Sequence, residues 1–267
     1  MRVAVVGHVE WVDFARVERV PQPGEIVTAL ESWAEPAGGG GVASVQLARL
    51  AGEATFFTAL GRDELGPRVE RELRALGVTI EAAWRDEPQR RAFTFVDSAG
   101  ERTITVIGER LEPRADDPLP WDDLEAVDAV YFTAGDVGAL RHARRARVLV
   151  ATARILPVLR RGGVQLDALV HSGNDPSERY EADDLEPPPK LVVTTAGRMG
   201  GRYRVGDETG RWPPAPLPGP IEDAYGAGDS FAAWLAFALA EGRETREAVA
   251  FAAKGAAKAL TRHGAHG

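Results

Sequence analysis

The sequence predicts an α/β protein with a mainly parallel central sheet flanked by helices and a small β-sheet lid. Three observations carry that expectation. Short apolar runs recur from the opening RVAVVG to Leu191–Thr194 and alternate with helix-compatible segments, as in a parallel sheet covered by helices. Two stretches, about residues 11–36 and 87–108, show instead the polar and apolar alternation of exposed antiparallel strands. The 267 residues are 44% hydrophobic, enough for a large core, and no linker divides them, so a single domain over 1–267 is expected.

The opening run is too short for a helix and reads as the first buried strand. Alternating runs around Phe14 to Val20 and Ile26 to Trp33 flank the turn-prone PQPGE, which suggests an antiparallel pair. After the glycine run Gly38 to Gly41, the positions Val42, Val45 and Leu50 have helical spacing, and ATFFTAL returns to strand character. In ELGPRVERELRALG the residues Leu65, Val69, Leu73 and Leu76 share a helix face, with Gly77 as the stop, and VTIEAAW follows as a strand. RAFTFVD and RTITVI, joined by SAGE, form a hairpin beside the first pair. Apolar runs at Ala129–Phe132, Val148–Ala151, Leu166–Val170 and Leu191–Thr194 complete the sheet. Trp212 to Pro220 reads as an ordered loop, since an apolar helix from Phe231 must pack back soon after it.

Composition removes several classes of function. The absence of cysteine excludes a disulfide scaffold, a thiolate metal site and a cysteine nucleophile. A formal net charge of −8 offers no broad attraction to nucleic acid or anionic lipid, so neither is an expected partner. The longest apolar stretch, Phe231 to Ala240, is far below the ~20 residues of a membrane span, and Arg2 leads directly into a strand without a secretory h-region. A cytoplasmic location is expected.

Gly226-Ala227-Gly228 opens the apolar helix, and small residues at a helix N-terminus let backbone N–H groups cradle an oxyanion or phosphate. Asp229 beside this cradle admits two readings: a helix cap, or a base for a hydroxyl attacking a phosphoryl group. The run DAYGAGDSF over Asp223–Phe231 resembles the C-terminal signature D-T-x-G-A-G-D-x-F of the ribokinase-like (PfkB) carbohydrate kinases, with Ala224 in place of the usual Thr. Pro21-x-Pro-Gly-Glu25, the glycine run, Ala48–Leu50, Gly61-x-Asp63-x-x-Gly66, Thr195-x-Gly197-x-x-Gly200 and Arg262-His-Gly264-Ala265 resemble further motifs of that family, in its order, over nearly the whole chain.

The resemblance implies a ribokinase-like fold and an ATP-dependent kinase that phosphorylates a hydroxyl of a small sugar. It makes Asp229 the general base and Gly226, Ala227 and Gly228 the cradle of the transferring phosphate. Thr195, Gly197, Gly200 and Gly264 fall to the nucleotide side, and Asp13, Gly38 and Gly39 to the sugar. Asp175-Pro-Ser-Glu178 resembles the N-x-x-E motif, so Asp175 and Glu178 are assigned to Mg2+. Asp223 belongs to a loop that helps bind a monovalent cation in some members; Ala224 and Tyr225 leave that cation open here. Val42 stands where the family usually has a sugar-binding Asn. His8, Glu10, Trp11 and Phe14 surround the same region, as pocket residues or as packing. Relatives often pair through their lids, so a homodimer is the expected assembly.

Other classes fail on their motifs. No lysine follows glycine, which excludes a P-loop, and Gly38-x-Gly40-x-x-Ala43 does not follow the first strand directly as a dinucleotide fingerprint would. Gly228-Asp229-Ser230 resembles a serine-hydrolase GDS motif, yet no histidine has the partner spacing, and G-x-S-x-G is absent. A nucleoside kinase of the same fold, or a catalytically silent sugar- or nucleotide-binding regulator, stay as alternatives.

Overall fold

The computed structural model describes residues 1–267. Strand β1 (Val3–Val6) leads into an antiparallel pair, β2 (Glu10–Arg16) and β3 (Glu31–Ala37), followed by α1 (Gly38–Ala51) and β4 (Ala54–Gly61). Then come α2 (Leu65–Ala75), β5 (Val78–Arg85) and the hairpin β6 (Arg91–Val96) and β7 (Arg102–Ile107). The middle of the chain supplies β8 (Ala129–Phe132), α3 (Val137–Ala143), β9 (Val148–Thr152), α4 (Leu156–Gly162) and β10 (Ala168–Ser172). It closes with β11 (Leu191–Thr195), β12 (Gly201–Val205), β13 (Glu208–Trp212), α5 (Ala227–Ala240) and α6 (Thr245–Leu260).

Nine strands form one sheet in the order β13-β12-β11-β10-β9-β8-β1-β4-β5, parallel from β11 to β5 and antiparallel at β12 and β13. Successive strand residues point to opposite faces, and β1 shows the result. Val3 and Val5 enter a core shared with α1, α2, α5 and α6, while Ala4 and Val6 enter a second core under α3 and α4. A sheet buried on both faces needs continuous apolar strands, which is why these runs were readable. The remaining strands form a separate sheet, β3-β2-β6-β7, in which β2 and β6 are parallel neighbours.

The expected runs at 14–20 and 26–33 are displaced. The pair is antiparallel, but it lies at 10–16 and 31–37, and Ile26 and Leu30 stand 99% and 65% exposed in the connection. Alternation alone does not set where pairing begins, and the prolines at 21 and 23 lengthen the loop. The glycine run is the first turn of α1 and not a turn before it. A β-carbon on Gly40 would lie 2.6 Å from the His8 carbonyl oxygen and 2.7 Å from the Phe56 ring, so only glycine lets α1 seat against the β1–β2 connection. The hairpin β12–β13 has no counterpart in the sequence reading, because GRYRV and ETGRW are short, polar and largely exposed.

Candidate active site

The N-termini of α5 and α1 meet at the carboxyl ends of the parallel strands, where open α/β sheets place their ligand sites. Gly226 is left-handed at φ +70°, and a β-carbon there would strike Val42 at 2.8 Å. Val42 therefore supports the turn from beneath, in place of offering a polar group to a ligand. No side chain caps α5, so the first amides of the helix are left without a side-chain partner, and Gly228 borders open space, with nothing within 4 Å of its β-carbon position.

Asp229 sits in the first turn of α5 and accepts no backbone N–H; its hydrogen bond comes from the Tyr131 hydroxyl, at 3.0 Å to Oδ1. The capping reading fails on this geometry. Burial, then the Asp229 charge and hydrogen bond, push the Tyr131 phenol well above its ordinary pKa, so it remains a proton donor. Arg154, just after β9, pairs with Glu178 at 2.6 Å and lies 3.7 Å from Asp175. Burial opposes its charge, yet the carboxylates of Asp229 and Glu178 outweigh burial and hold the guanidinium more strongly protonated.

Gly38 and Gly39 join this carboxylate to a second polar group. A β-carbon on Gly39 would lie 3.0 Å from Asp229 Oδ1, and one on Gly38 3.2 Å from Glu10 Cγ. The Gly38 N–H donates to the Tyr225 hydroxyl at 3.1 Å. Glu10 is buried with Arg90 at 3.0 Å and His8 at 3.6 Å. Burial raises the Glu10 pKa, with Asp229 adding to it, and burial followed by Arg110, Arg90 and Arg154 keeps His8 neutral.

Asp13 is not part of this group. It shares a strand face with Trp11 and Ala15, opposite Glu10, Val12 and Phe14, and binds Arg91 at 2.9 Å. Trp11 and Phe14 are packing residues: the first lies under Arg68, the second stacks on Trp33 and meets Tyr225 edge-on. Glu10 and His8, weighed only as neighbours in the sequence, occupy the inward position.

Across the strand ends, Gly197 and Gly200 have φ of +54° and +77°, and Gly197 approaches the Asn174 amide. Thr195 Oγ1 donates to the His171 carbonyl at 3.4 Å. A cavity of about 430 Å3 opens beside these loops, lined by His171, Asn174, Asp175, Tyr180 and Arg202 among others. Gly264 lies away from them, against Trp33 and Glu35 of β3, where the Ala265 N–H donates to Glu35 at 2.8 Å. The assignment of Gly264 to a nucleotide therefore finds no nucleotide-side loop beside it.

Asp175 Oδ1 is engaged by the N–H and hydroxyl of Ser177, and Glu178 by the Ser172 N–H at 2.7 Å and by Arg154. This donor set offers no cage of three protein ligands. It fits a magnesium ion that keeps its waters and takes phosphate oxygens from a nucleotide. Asp223 is fully buried; Oδ1 accepts the Tyr225 N–H at 2.6 Å, while Oδ2 has no partner and burial raises its pKa. An unpartnered buried carboxylate oxygen fits a small cation, so Ala224 and Tyr225 do not by themselves remove that site.

Tyr131, Thr133, Arg90, Arg110 and Arg154 escaped the sequence reading. Tyr131 lies inside an apolar strand run, and only the strand's pairing shows that it points toward α5.

The profile of the pfkB family carbohydrate kinases matches residues 1–160 and 165–267. A ribokinase from Bacillus subtilis (strain 168) is 26% identical over 278 residues, covering 94% of this chain and 89% of the relative. Among solved structures, a microbiome-derived acarbose kinase superposes with a TM-score of 0.84 at 22% identity, over 100% of this chain and 94% of the other. An Arabidopsis thaliana ribokinase, solved with ribose and ATP, gives 0.74 at 21% identity, over 98% and 93%. With the profile spanning both core halves and the signature glycines gathered at one helix N-terminus, the chain belongs to the pfkB family of carbohydrate kinases.

Proposed function

We propose that this protein transfers the terminal phosphoryl group of ATP to a hydroxyl of a small sugar, with Asp229 as general base. The observation that carries this is the freedom of Asp229. It caps nothing, lies against Gly39 and stands beside the open amides of α5. In that position a carboxylate accepts the acceptor hydroxyl proton while the oxygen bonds to phosphorus and the bond from phosphorus to the ADP oxygen breaks. Gly226, Ala227 and Gly228 hold the oxygens of the moving group by N–H groups and helix dipole. Tyr131 orients the base, and Arg154 brings positive charge to the same space. Gly38 and Gly39 line the sugar, and Thr195, Gly197 and Gly200 flank the nucleotide. Asp175 and Glu178 would hold Mg2+ through water, and the ion would offset the charge of the phosphates. Ribokinase as the curated relative supports a sugar over a nucleoside.

The test is Asp229→Asn, which preserves size. Turnover across a panel of sugars and nucleosides should fall by ~10²–10⁴-fold, with melting temperature and calorimetric ATP affinity held near wild type. Turnover within a few-fold of wild type would remove Asp229 from the base role. No ATP consumption by the wild type across the panel would favour a silent regulator.

A further inference from the structure

We infer that the acceptor is an acidic sugar, whose carboxylate or phosphate is held by Arg110 and Arg90 at the base of the β6–β7 hairpin. This rests on the kinase reading above and adds the chemistry of its acceptor.

Arg90 immediately precedes β6 and Arg110 follows β7 by three residues. The hairpin register pairs Arg91 with Ile107, and a β-carbon on Gly108 would lie 4.0 Å from the Arg90 Cα. Both arginines therefore leave the sheet at one end. That end is fastened to the β1–β2 connection, since the Trp11 N–H donates to the Arg90 carbonyl at 2.9 Å and the Arg90 Nε stands 3.0 Å from Glu10. Gly38 touches Glu10 and His8, and the next residue touches Asp229. One dipeptide, Gly38-Gly39, thus lies between the Glu10–Arg90 pair and Asp229.

Two carboxylates, Glu112 and Glu10, act on Arg110 at this end, and Arg90 acts on it with the opposite sign. Glu10 is the carboxylate paired with Arg90, and burial weakens its ionisation. Arg110 makes no ion pair and no side-chain hydrogen bond, although its charge acts on His8, Glu10 and Arg90 together. Its guanidinium is exposed beside that of Arg90 and open to a ligand. A planar anion accepts two N–H bonds from such a fork. Val42, fully buried beneath Gly226, offers nothing to a neutral hydroxyl.

The test assays the full chain with ATP against matched sets: a neutral pentose or hexose, its aldonate or uronate, and its monophosphate. The same compounds are titrated calorimetrically without ATP. An anionic member should exceed its neutral counterpart by ~10–100-fold in kcat/KM, and Arg110→Gln should erase that margin through KM, with ATP affinity retained as the folding control. The favoured anion separates carboxylate from phosphate. Anion binding that Arg110→Gln abolishes, without any turnover, upholds the subsite and overturns the kinase reading. Equal or better use of neutral sugars, or a preference unmoved by both Arg110→Gln and Arg90→Gln, overturns the acidic acceptor and leaves the kinase reading intact. No turnover and no binding of any member overturns both.

Discussion

At Gly39 a β-carbon would come within 2.9 Å of Thr133 Oγ1 and 3.0 Å of Asp229 Oδ1, so a methyl group there must push one of them aside. Gly39→Ala is expected to lower kcat by roughly tenfold, because Thr133 or Asp229 must give way by a few tenths of an ångström beside the proposed reacting group. The fold should survive, and kinetics beside a melting curve separate the two effects. Tyr131→Phe removes the hydroxyl that orients the same carboxylate and should cost roughly tenfold in kcat, with little change in KM for ATP. The gathering of Gly226 to Asp229 at one helix N-terminus was legible because small residues in DAYGAGDSF open the apolar helix. Asp13 misled because a strand inverts its side chains at every residue, and the inward place falls to Glu10. Arg154 carried no signal at all: it lies 75 residues before Asp229, and only the parallel order of β8, β9 and β10 brings them together.

Among the elements, the second sheet is fastened to the loop that precedes α5. Arg102 donates to the Ala224 carbonyl at 2.7 Å, the Ala224 N–H donates to Gly100, and Arg16 reaches the Glu222 carbonyl at 3.3 Å. Arg102→Ala should speed hydrogen exchange at residues 223–226 and lower kcat several-fold, since the Gly226 turn loses an anchor. Unchanged exchange there would show that the anchor is idle. At the far edge, β7 is exposed along its whole length, with Ile104, Val106 and Ile107 between 40% and 47% accessible. Such an edge attracts a second strand, and we propose that two copies pair through it. Sedimentation of wild type and Val106→Lys should give a dimer and a monomer, respectively. The β6–β7 hairpin was readable from its alternation and its Ser98–Glu101 turn, whereas the main sheet's last hairpin buries too little to leave a pattern.

For the molecule as a whole, histidine burial sets the response to acid. His8, His171 and His266 all lie below their ordinary pKa, each first through burial, and His266 is held down to about 4. The unfolded chain takes up a proton on His266 near pH 6.5 and the folded chain only near 4, so its stabilising effect is complete above 6.5 and is lost as pH falls toward 4. Between pH 7 and 4.5, wild type should lose on the order of 2 kcal/mol more unfolding free energy than His266→Gln in urea titrations. Equal losses would place the acid sensitivity elsewhere.

The larger of the two cores joins Val3 and Val5 of β1 to Phe231–Ala240 of α5 and Val249–Ala253 of α6. An emerging polypeptide covers β1 early with α1, but carries β8 and β9 through much of synthesis before α5, which covers them, exists. Truncation before residue 227 would leave the α5 side of β8 and β9 open to water, with Tyr131 and Val150 uncovered. Refolding must close loops of more than two hundred residues, which places it among slow, intermediate-populating folders and not among the microsecond ones. The first turn of α5, with Gly226 to Asp229, is for the same reason among the last parts of the protein to form.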